Sequence, residues 1–220
     1  MDNIVIIGSS GHAKVIADVV ENQGKYKISG FVDSTREIGE QVVGYRVLGS
    51  VENLPELLVM HDIRGALVGI GDNFVRSTVV GRIRDLCPRL SFVTAIHPNS
   101  SIGKEASVGE GAVVMAGAVV NPCSSIGRFC ILNTNSSLDH DSAMEDFASL
   151  APNVVTGGNC RIGTHSAVSI GASLVHGVTI GQHTVVGAGS TVLGDIGPYS
   201  VAYGTPAKTI RERSPGDKYL

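Results

Sequence analysis

Residues 114–149 read VMAGAV VNPCSS IGRFCI LNTNSS LDHDSA MEDFAS, a run of six-residue units that each open with an aliphatic side chain. The pattern continues without insertion or deletion from Ile102 to Gly197, and Thr156 is the one exception among the openers. The openers are Ile102, Val108, Val114, Val120, Ile126, Leu132, Leu138, Met144, Leu150, Thr156, Ile162, Val168, Leu174, Ile180, Val186 and Val192. A small or β-branched residue stands four positions after each opener. This period predicts a parallel β-helix, in which three short strands form each triangular coil and the openers stack inside it.

The composition suits a prism of small side chains and excludes several classes of protein. Aromatic residues make up 5% of the chain, Trp is absent and Gly occurs 28 times. The net charge of −3, with no basic block, argues against a nucleic-acid partner. No run approaches the roughly 18 apolar residues that span a membrane. The apolar run Ile4–Ile7 has no basic region before it and no cleavage site after it, so we expect a strand there and not a signal peptide.

The four cysteines, Cys87, Cys123, Cys130 and Cys160, contain no Cys-x-x-Cys pair. Cys130 and Cys160 stand at the small-residue position of their hexads, where a side chain points into the prism. Free thiols packed in a core are typical of the reduced cytoplasm, where we expect the protein to reside.

Residues 1–96 follow a different pattern, in which strands alternate with helices. Strands are expected at 4–7, 26–32, 47–49, 66–70 and 90–95, and helices at 13–22, 51–60 and 74–86. Such alternation predicts a small α/β domain with a parallel sheet, which binds ligands at the carboxyl ends of its strands. The β-helix and a C-terminal tail form the second domain, residues 97–220.

The turn after the first strand, Gly8 to His12, is a candidate ligand site. Glycines allow close backbone approach, and the following helix N-terminus offers free amides to an anion. Asp33, at the end of the second strand, can accept bonds from a ribose or a base. The spacing Gly8-x-x-Gly11 is not the dinucleotide fingerprint, so NAD is not expected. A plain strand-to-helix turn with a solvated Asp33 is the alternative.

A second candidate site lies on a corner of the prism. Since one coil takes eighteen residues, positions eighteen apart stack about 4.8 Å apart. His140, Gly158 and His176 therefore form one column, flanked by Asp139 and Asp141. A histidine base below a bare backbone amide is the pair that acyl transfer needs, and a carboxylate can fix the tautomer of the imidazole. A surface histidine in an acidic corner is the alternative.

Metal binding also has to be considered for the histidines. His165 and His183 form a second stack, and the separation of His140 and His176 resembles that of two zinc ligands in γ-class carbonic anhydrases. That family has a third histidine five residues after the second, and the corresponding residue here is Gly181. We therefore expect no metal.

Five motifs together resemble one family. They are the Gly8–His12 turn, the Ile70–Asn73 strand end, the Ala95–Pro98 segment, the hexapeptide run with Asp139–Asp141, and the segment Gly204–Lys208. The chain resembles the NeuD/PglD-like sugar acyltransferases, which include sialic acid O-acetyltransferase-like proteins and N-acetyltransferases of nucleotide-linked 4-amino sugars. The resemblance implies a left-handed β-helix, a homotrimer with active sites between neighbouring prisms, and acetyl-CoA as the acyl donor.

The resemblance also implies roles for individual residues. His140 matches the catalytic base, Asp141 its supporting acid, Gly158 the oxyanion amide and Asn133 an asparagine of the same pocket. The residues implied to hold the nucleotide sugar are Gly8, Ser10, Gly11, His12, Asp33, Asn73 and Asn133. The residues implied to contact acetyl-CoA are Gly158, Ser149, Gly187, Ala188, Gly189 and Lys208. Several members carry a second histidine nine residues after the base, where this chain has Ser149, so the donor pocket is expected to differ in detail.

These observations predict an N-acetyltransferase that acts on the 4-amino group of a nucleotide-linked 4-amino-4,6-dideoxysugar in surface glycan biosynthesis. Transfer is expected to be direct, with His140 as the general base. Sugar O-acetylation is a rival activity that the sequence does not separate from it. Two less favoured readings are a carbonic-anhydrase-like metalloenzyme and a non-catalytic trimer that acts as a scaffold or metabolite sensor.

Overall fold

The computed structural model describes residues 1–219, which form two compact units. The first unit contains Met1–Gly71 and Val75–Pro98, and the second contains Asp72–Phe74 together with the residues from Asn99 onward. The helices are α1 Gly11–Gln23, α2 Leu54–Met60 and α3 Asn73–Leu86. The strands before the repeat are β1 Asp2–Ile7, β2 Tyr26–Val32, β3 Gln41–Val42, β4 Tyr45–Gly49, β5 Ile63–Val68, β6 Ser91–Phe92 and β7 Ala95–Ile96.

The first unit is an α/β fold around the sheet β3-β4-β2-β1-β5-β6. β1 is fully buried from Ile4 to Ile7 and pairs in parallel with β2 on one side and with β5 on the other. The strand order therefore reverses at β1, and the carboxyl end of this strand is where such sheets bind ligands. The sequence pattern missed β3, which forms a hairpin with β4 through residues at positive φ, Val43 and Gly44.

The second unit is a left-handed parallel β-helix, which confirms the predicted fold class. A two-residue strand occurs in every hexad. These strands are β8 Ser101–Ile102, β9 Ser107–Val108, β10 Val113–Val114, β11 Val119–Val120, β12 Ser125–Ile126, β13 Ile131–Leu132, β14 Ser137–Leu138, β15 Ala143–Met144, β16 Ser149–Leu150, β17 Val155–Thr156, β18 Arg161–Ile162, β19 Ala167–Val168, β20 Ser173–Leu174, β21 Thr179–Ile180, β22 Val185–Val186 and β23 Thr191–Val192. They end in a hairpin of β24 Ser200–Gly204 and β25 Ala207–Glu212.

The register of the strands confirms the coil length. Val113 pairs with Ile131, and Ile131 pairs with Ser149, each eighteen residues further on. Three parallel sheets result, which contain the strand series β10-β13-β16-β19-β22, β8-β11-β14-β17-β20-β23 and β9-β12-β15-β18-β21. The openers from Val114 to Val192 are all buried, whereas Ile102 in the first coil remains exposed.

Candidate active site

The turns between the three sheets form three edges of the β-helix, which we name after one residue each. The His140 edge lies between the β14 and β15 sheets and contains Pro122, His140, Gly158 and His176. The Phe147 edge lies between the β15 and β16 sheets and contains Phe129, Phe147, His165 and His183. The Asn133 edge lies between the β13 and β14 sheets and contains Asn133 and the segment 187–189. The site residues predicted in the β-helix are thus divided among different edges of one chain.

The corner at His140 holds a histidine–carboxylate pair. Asp141 adopts the left-handed conformation, with φ of 57°, which Asp tolerates better than most residues. In this conformation its Oδ2 lies 2.8 Å from Nδ1 of His140. The hydrogen bond with Asp141 raises the pKa of the imidazole above its ordinary value, and the charges of Asp139 and Asp141 act in the same direction. When Asp141 accepts a hydrogen bond from Nδ1, Nε2 is left as the basic nitrogen.

The ring of His140 lies directly against Gly158. A Cβ built on Gly158 would overlap Nε2 and lie 2.5 Å from Cε1 of His140, so only glycine leaves room for the ring at this position. His176, one coil further on, is exposed, and its ring centroid lies 6.2 Å from that of His140. The predicted column of histidine, bare backbone and histidine is therefore present in the structure.

Gly158 is buried, unlike the other residues at the third hexad position whose amides have no acceptor among residues 1–219. Residues at this third position do not donate to the strand ladder, and in some hexads a nearby side-chain oxygen accepts the N–H group instead. The Arg128 amide donates to Asp146 at 2.7 Å, and the Thr164 amide donates to Glu145 at 3.0 Å. The Gly158 amide donates to no group among residues 1–219, although Gly158 itself is buried. Buried amides without a partner are rare in proteins, so this N–H is available to a ligand atom.

Asp139 holds the backbone of His140 instead of its ring. Oδ1 of Asp139 accepts the His140 amide at 2.7 Å and the side-chain amide of Asn121 at 2.6 Å. The hydrogen bond from the His140 amide, together with that from Asn121, lowers the pKa of the Asp139 carboxyl. The two flanking carboxylates thus have different contacts, because Asp141 bonds the ring of His140 and Asp139 bonds its backbone amide.

The Asn133 edge carries the predicted coenzyme A segment. Oδ1 of Asn133 accepts the Thr134 amide at 2.8 Å. Further along this edge, Gly187 leaves room for Tyr203, since a Cβ on Gly187 would lie 2.6 Å from Cβ of Tyr203. Lys208 is the cross-strand partner of Tyr203 in the β24–β25 hairpin. Tyr203 is half exposed and lies next to the residues predicted to contact acetyl-CoA. The sequence pattern did not identify Tyr203, although this residue directly precedes the Gly204–Lys208 motif.

Asn73 and Ser149 contact each other, although the family resemblance assigns them to different ligands. The Asn73 side chain is fully buried and donates to Oγ of Ser149 at 3.0 Å and to the carbonyl of Ser166 at 3.1 Å. The Asn73 backbone amide donates to the hydroxyl of Tyr219 at 2.9 Å. These partners are 76 or more residues away along the chain, so no local sequence signal could have revealed them.

The turn after β1 borders a cavity of about 290 Å³ at the carboxyl ends of β1 and β2. Gly8, Ser10 and Asp33 line it, whereas Gly11 and His12 follow as the first residues of α1. Oδ2 of Asp33 accepts the amide and hydroxyl of Ser9, and Oδ1 accepts the amide and hydroxyl of Thr35, all at 2.6–2.8 Å. Burial would raise the pKa of Asp33, but these hydrogen bonds outweigh it and lower the pKa. Asp33 thus fixes the shape of this cavity.

His12 lies in the same unit and is half-buried. Burial lowers the pKa of its imidazole to about 4, with the charge of Arg76 acting in the same direction. Arg76 is itself buried and donates to the carbonyls of Ile70 and Gly71. His12 is therefore uncharged at neutral pH, and its Nε2 has no hydrogen-bond partner among the described residues.

Neither a metal cluster nor a membrane-spanning helix occurs in the described part of the chain. No three or more His, Cys, Asp or Glu residues within 1–219 are placed to hold a metal ion. None of the helices there has the length and apolar character needed to cross a bilayer.

A parallel β-helix of hexapeptide repeats with a histidine–carboxylate pair beside a buried backbone amide fits the class of hexapeptide-repeat acyltransferases. Comparison with known proteins agrees with this class. The PglD N-terminal domain family matches residues 3–83. A 119-residue segment is 31% identical to the UDP-N-acetylbacillosamine N-acetyltransferase of Bacillus subtilis, covering 53% of this chain and only about half, 52%, of that protein.

Several solved structures match nearly the whole chain, and two of them illustrate the similarity. One is a variant of perosamine N-acetyltransferase from Caulobacter crescentus in complex with CoA and GDP-perosamine, with a TM-score of 0.90, 34% identity, and coverage of 96% of this chain and 98% of that one. The other is the acetyltransferase domain of PglB from Neisseria gonorrhoeae in complex with acetyl coenzyme A, with a TM-score of 0.87, 32% identity, and coverage of 94% and 98%. The chain belongs to the NeuD/PglD-like family of sugar acyltransferases.

Proposed function

We propose that the protein is an acetyl-CoA-dependent N-acetyltransferase that acts on the 4-amino group of a nucleotide-linked 4-amino-4,6-dideoxysugar in surface glycan biosynthesis. The observation that carries this proposal is the corner where His140 lies against Gly158, with Nδ1 bonded to Asp141 and the Gly158 amide unpaired within residues 1–219. The relatives named for perosamine and bacillosamine N-acetylation support an amino sugar as the acceptor.

The reaction is direct transfer without a covalent enzyme intermediate. The neutral amine attacks the thioester carbonyl, a C–N bond forms, and the carbonyl oxygen becomes an oxyanion that the Gly158 amide stabilises. Nε2 of His140 takes the proton that the nitrogen loses. When the intermediate collapses, the C–S bond breaks, and the thiolate of coenzyme A leaves and takes the proton from the His140 imidazolium, which returns the base to its neutral form. Asp141 holds the tautomer of His140 throughout and stabilises the imidazolium.

The active protein is a homotrimer whose sites lie between neighbouring prisms. The base lies on the His140 edge, whereas Asn133 and Gly187–Gly189 lie on the Asn133 edge, so one chain does not bring its own site residues together at a single edge. The sheet between these edges presents exposed apolar side chains, including Val155, Val175 and Leu193. A heterologous contact repeated around a threefold axis would cover this sheet and pair the two edges of adjacent chains.

The α/β unit binds the nucleotide in the cavity next to Gly8 and Ser10, at the switch point of the sheet. The coenzyme contacts Gly187, Ala188, Gly189 and Lys208. The hydrogen bond between Asn73 and Ser149 helps to shape the site where the two substrates meet. Both substrates are cytoplasmic metabolites, and the buried thiols Cys87, Cys130 and Cys160 suit a reduced compartment. We therefore place the protein in the cytoplasm.

A thiol-release assay with acetyl-CoA tests the proposal against UDP-, dTDP- and GDP-linked 4-amino-4,6-dideoxysugars and the matching hydroxy sugars. Turnover is expected on one amino sugar, and His140→Ala should lower kcat about 10²- to 10⁴-fold while the protein still melts like the wild type. His176→Ala, on the same edge, is the matched control and should retain turnover. Activity on hydroxy sugars alone would make the protein an O-acetyltransferase. An active His140→Ala variant would remove the base from this mechanism.

A further inference from the structure

The strand ladder is regular along the His140 edge except at one rung. In each coil, the residue after the opener donates its amide to the backbone carbonyl of the opener in the next coil. Asn121 donates to the Leu138 carbonyl at 2.9 Å, and Gly157 donates to the Leu174 carbonyl at 2.8 Å. Asp139, which lies between them in the same column, should therefore donate to the carbonyl of Thr156.

Asp139 instead donates to the side chain of Thr156. Its amide lies 3.0 Å from Oγ1 of Thr156. The pairing of β14 with β17 has only the register pair Ser137–Val155, whereas the pairing of β17 with β20 has two pairs. The opener at this position is the only non-aliphatic one in the series, and its side chain is buried in the prism. The hydroxyl of Thr156 has thus replaced a ladder carbonyl as the acceptor.

This altered rung lies directly beside the base. Asp139 precedes His140, and its Oδ1 accepts the His140 amide at 2.7 Å. Ser124 donates to the carbonyl of Asp139 at 2.6 Å from inside the prism. The peptide unit that carries His140 is therefore fixed by Asp139, whose own amide is held by Thr156. A buried Thr in place of an aliphatic opener gives no advantage in packing, because it adds a polar group to an apolar column.

We propose that the Thr156 hydroxyl is a positioning group for His140, an inference that rests on the proposed function. Its hydrogen bond to Asp139 replaces the ladder bond and sets the corner so that the imidazole meets both Asp141 and Gly158. Thr156 does not touch the reacting atoms and acts through the backbone of Asp139. With an aliphatic residue at position 156, the Asp139 amide would donate to the backbone carbonyl of residue 156. The corner at His140 would then adopt the same geometry as the corners of the other coils.

The test compares Thr156→Val, which keeps the shape and loses the hydroxyl, with Thr156→Ser, which keeps the hydroxyl. In Thr156→Val, kcat on the best acceptor should fall about 10- to 100-fold, with KM for acceptor and acetyl-CoA unchanged and the melting temperature equal or higher. Thr156→Ser should retain most of the wild-type kcat. Equal losses in both variants would show that packing and not the hydroxyl matters, and wild-type kcat in Thr156→Val would overturn the proposal.

A second measurement needs no turnover and keeps this inference separate from the proposed function. The titration of the His140 imidazole is followed by NMR on isotope-labelled histidine, with His140→Ala used to assign the signal. In Thr156→Val the pKa of His140 should fall towards its ordinary value as the ring leaves Asp141, whereas Thr156→Ser should titrate like the wild type. Identical titrations in all three proteins would refute the positioning role even if no acyl transfer were detected.

Discussion

The His140 edge and the Phe147 edge both stack histidines at the period of the coil, yet they have opposite character. On the Phe147 edge, the rings of His165 and His183 lie 4.6 Å apart and nearly parallel, at 6°, and continue a stack that begins at Phe129 and Phe147. On the His140 edge, the rings of His140 and His176 lie 6.2 Å apart and are tilted by 46°. The Phe147 edge is a packed aromatic column. The His140 edge has no side chain at Gly158, and the ring of His140 lies in the space that this leaves.

The difference follows from the position in the hexad. His165 and His183 stand at the fourth position, where the backbone adopts a positive φ and the side chain lies over its counterpart in the next coil. His140 stands at the third position, one residue before the left-handed Asp141, and half of its side chain is exposed. In this chain, the histidines at the fourth position pack into a column of rings, whereas His140 and His176 at the third position are exposed. The sequence contains this information, but only when the two positions are compared.

A side chain at position 158, on the His140 edge, should have the largest effect on turnover. In Gly158→Ala, the new Cβ would overlap the imidazole of His140, which must turn away from the Gly158 amide. Because a small displacement of a catalytic group is costly, kcat should fall about 10²-fold or more. Turnover and the melting temperature of the variant would be measured together.

Gly194→Ala is the matched control for this variant. Gly194 occupies the same hexad position two coils further on, and a Cβ there would meet nothing within 4 Å. Its turnover should equal that of the wild type. If Gly158→Ala also retained wild-type turnover, the ring of His140 would not need its place against Gly158.

Removing a ring from the Phe147 edge should affect stability and leave the chemistry intact. Phe147 stacks on Phe129 at 5.0 Å and on His165 at 5.1 Å, so Phe147→Ala removes two stacking contacts and part of the packing. The free energy of unfolding should fall by about 2 kcal/mol. Denaturant unfolding would measure this loss, and kcat below the melting temperature should stay close to wild type. A selective loss of kcat would mean that this edge takes part in catalysis.

The Asp141 carboxylate should control the pH dependence of the reaction. Activity needs neutral His140, and the pKa of this imidazole is raised by its bond to Asp141. The acidic limb of kcat/KM should therefore lie above pH 6.5, the ordinary value for histidine. In Asp141→Asn the limb should move to lower pH, while the maximal rate falls about 10-fold because the base is weaker. A limb that did not move would show that another group titrates.

The fold was more accessible from the sequence than the site was. The hexads predicted the strands of the β-helix because the openers from Val114 onward are buried in their own stack, a local rule whose spacing repeats without exception. The column of His140, Gly158 and His176 followed from the same spacing. The contacts of Asn73 with Ser149 did not follow, because they join residues distant in the chain. Thr156 was visible as an exception, but its meaning depends on a backbone bond that only the structure reveals.

The smallest expected effect compares the two edges most directly. Burial, and then the charge of Arg213, lowers the pKa of His183, whereas the bond to Asp141 raises that of His140. NMR titration should therefore give midpoints below 6.5 for His183 and above 6.5 for His140. Because folding weakens proton binding by His183, the protein loses stability at this site as pH falls below 6.5. Because folding strengthens proton binding by His140, this residue stabilises the fold below pH 6.5, and the contribution is lost as pH rises through its folded pKa. Arg213→Gln should raise only the midpoint of His183, because His140 owes its shift to its own corner. Equal midpoints for the two histidines would mean that hexad position does not set their environments, and the contrast between the edges would fail.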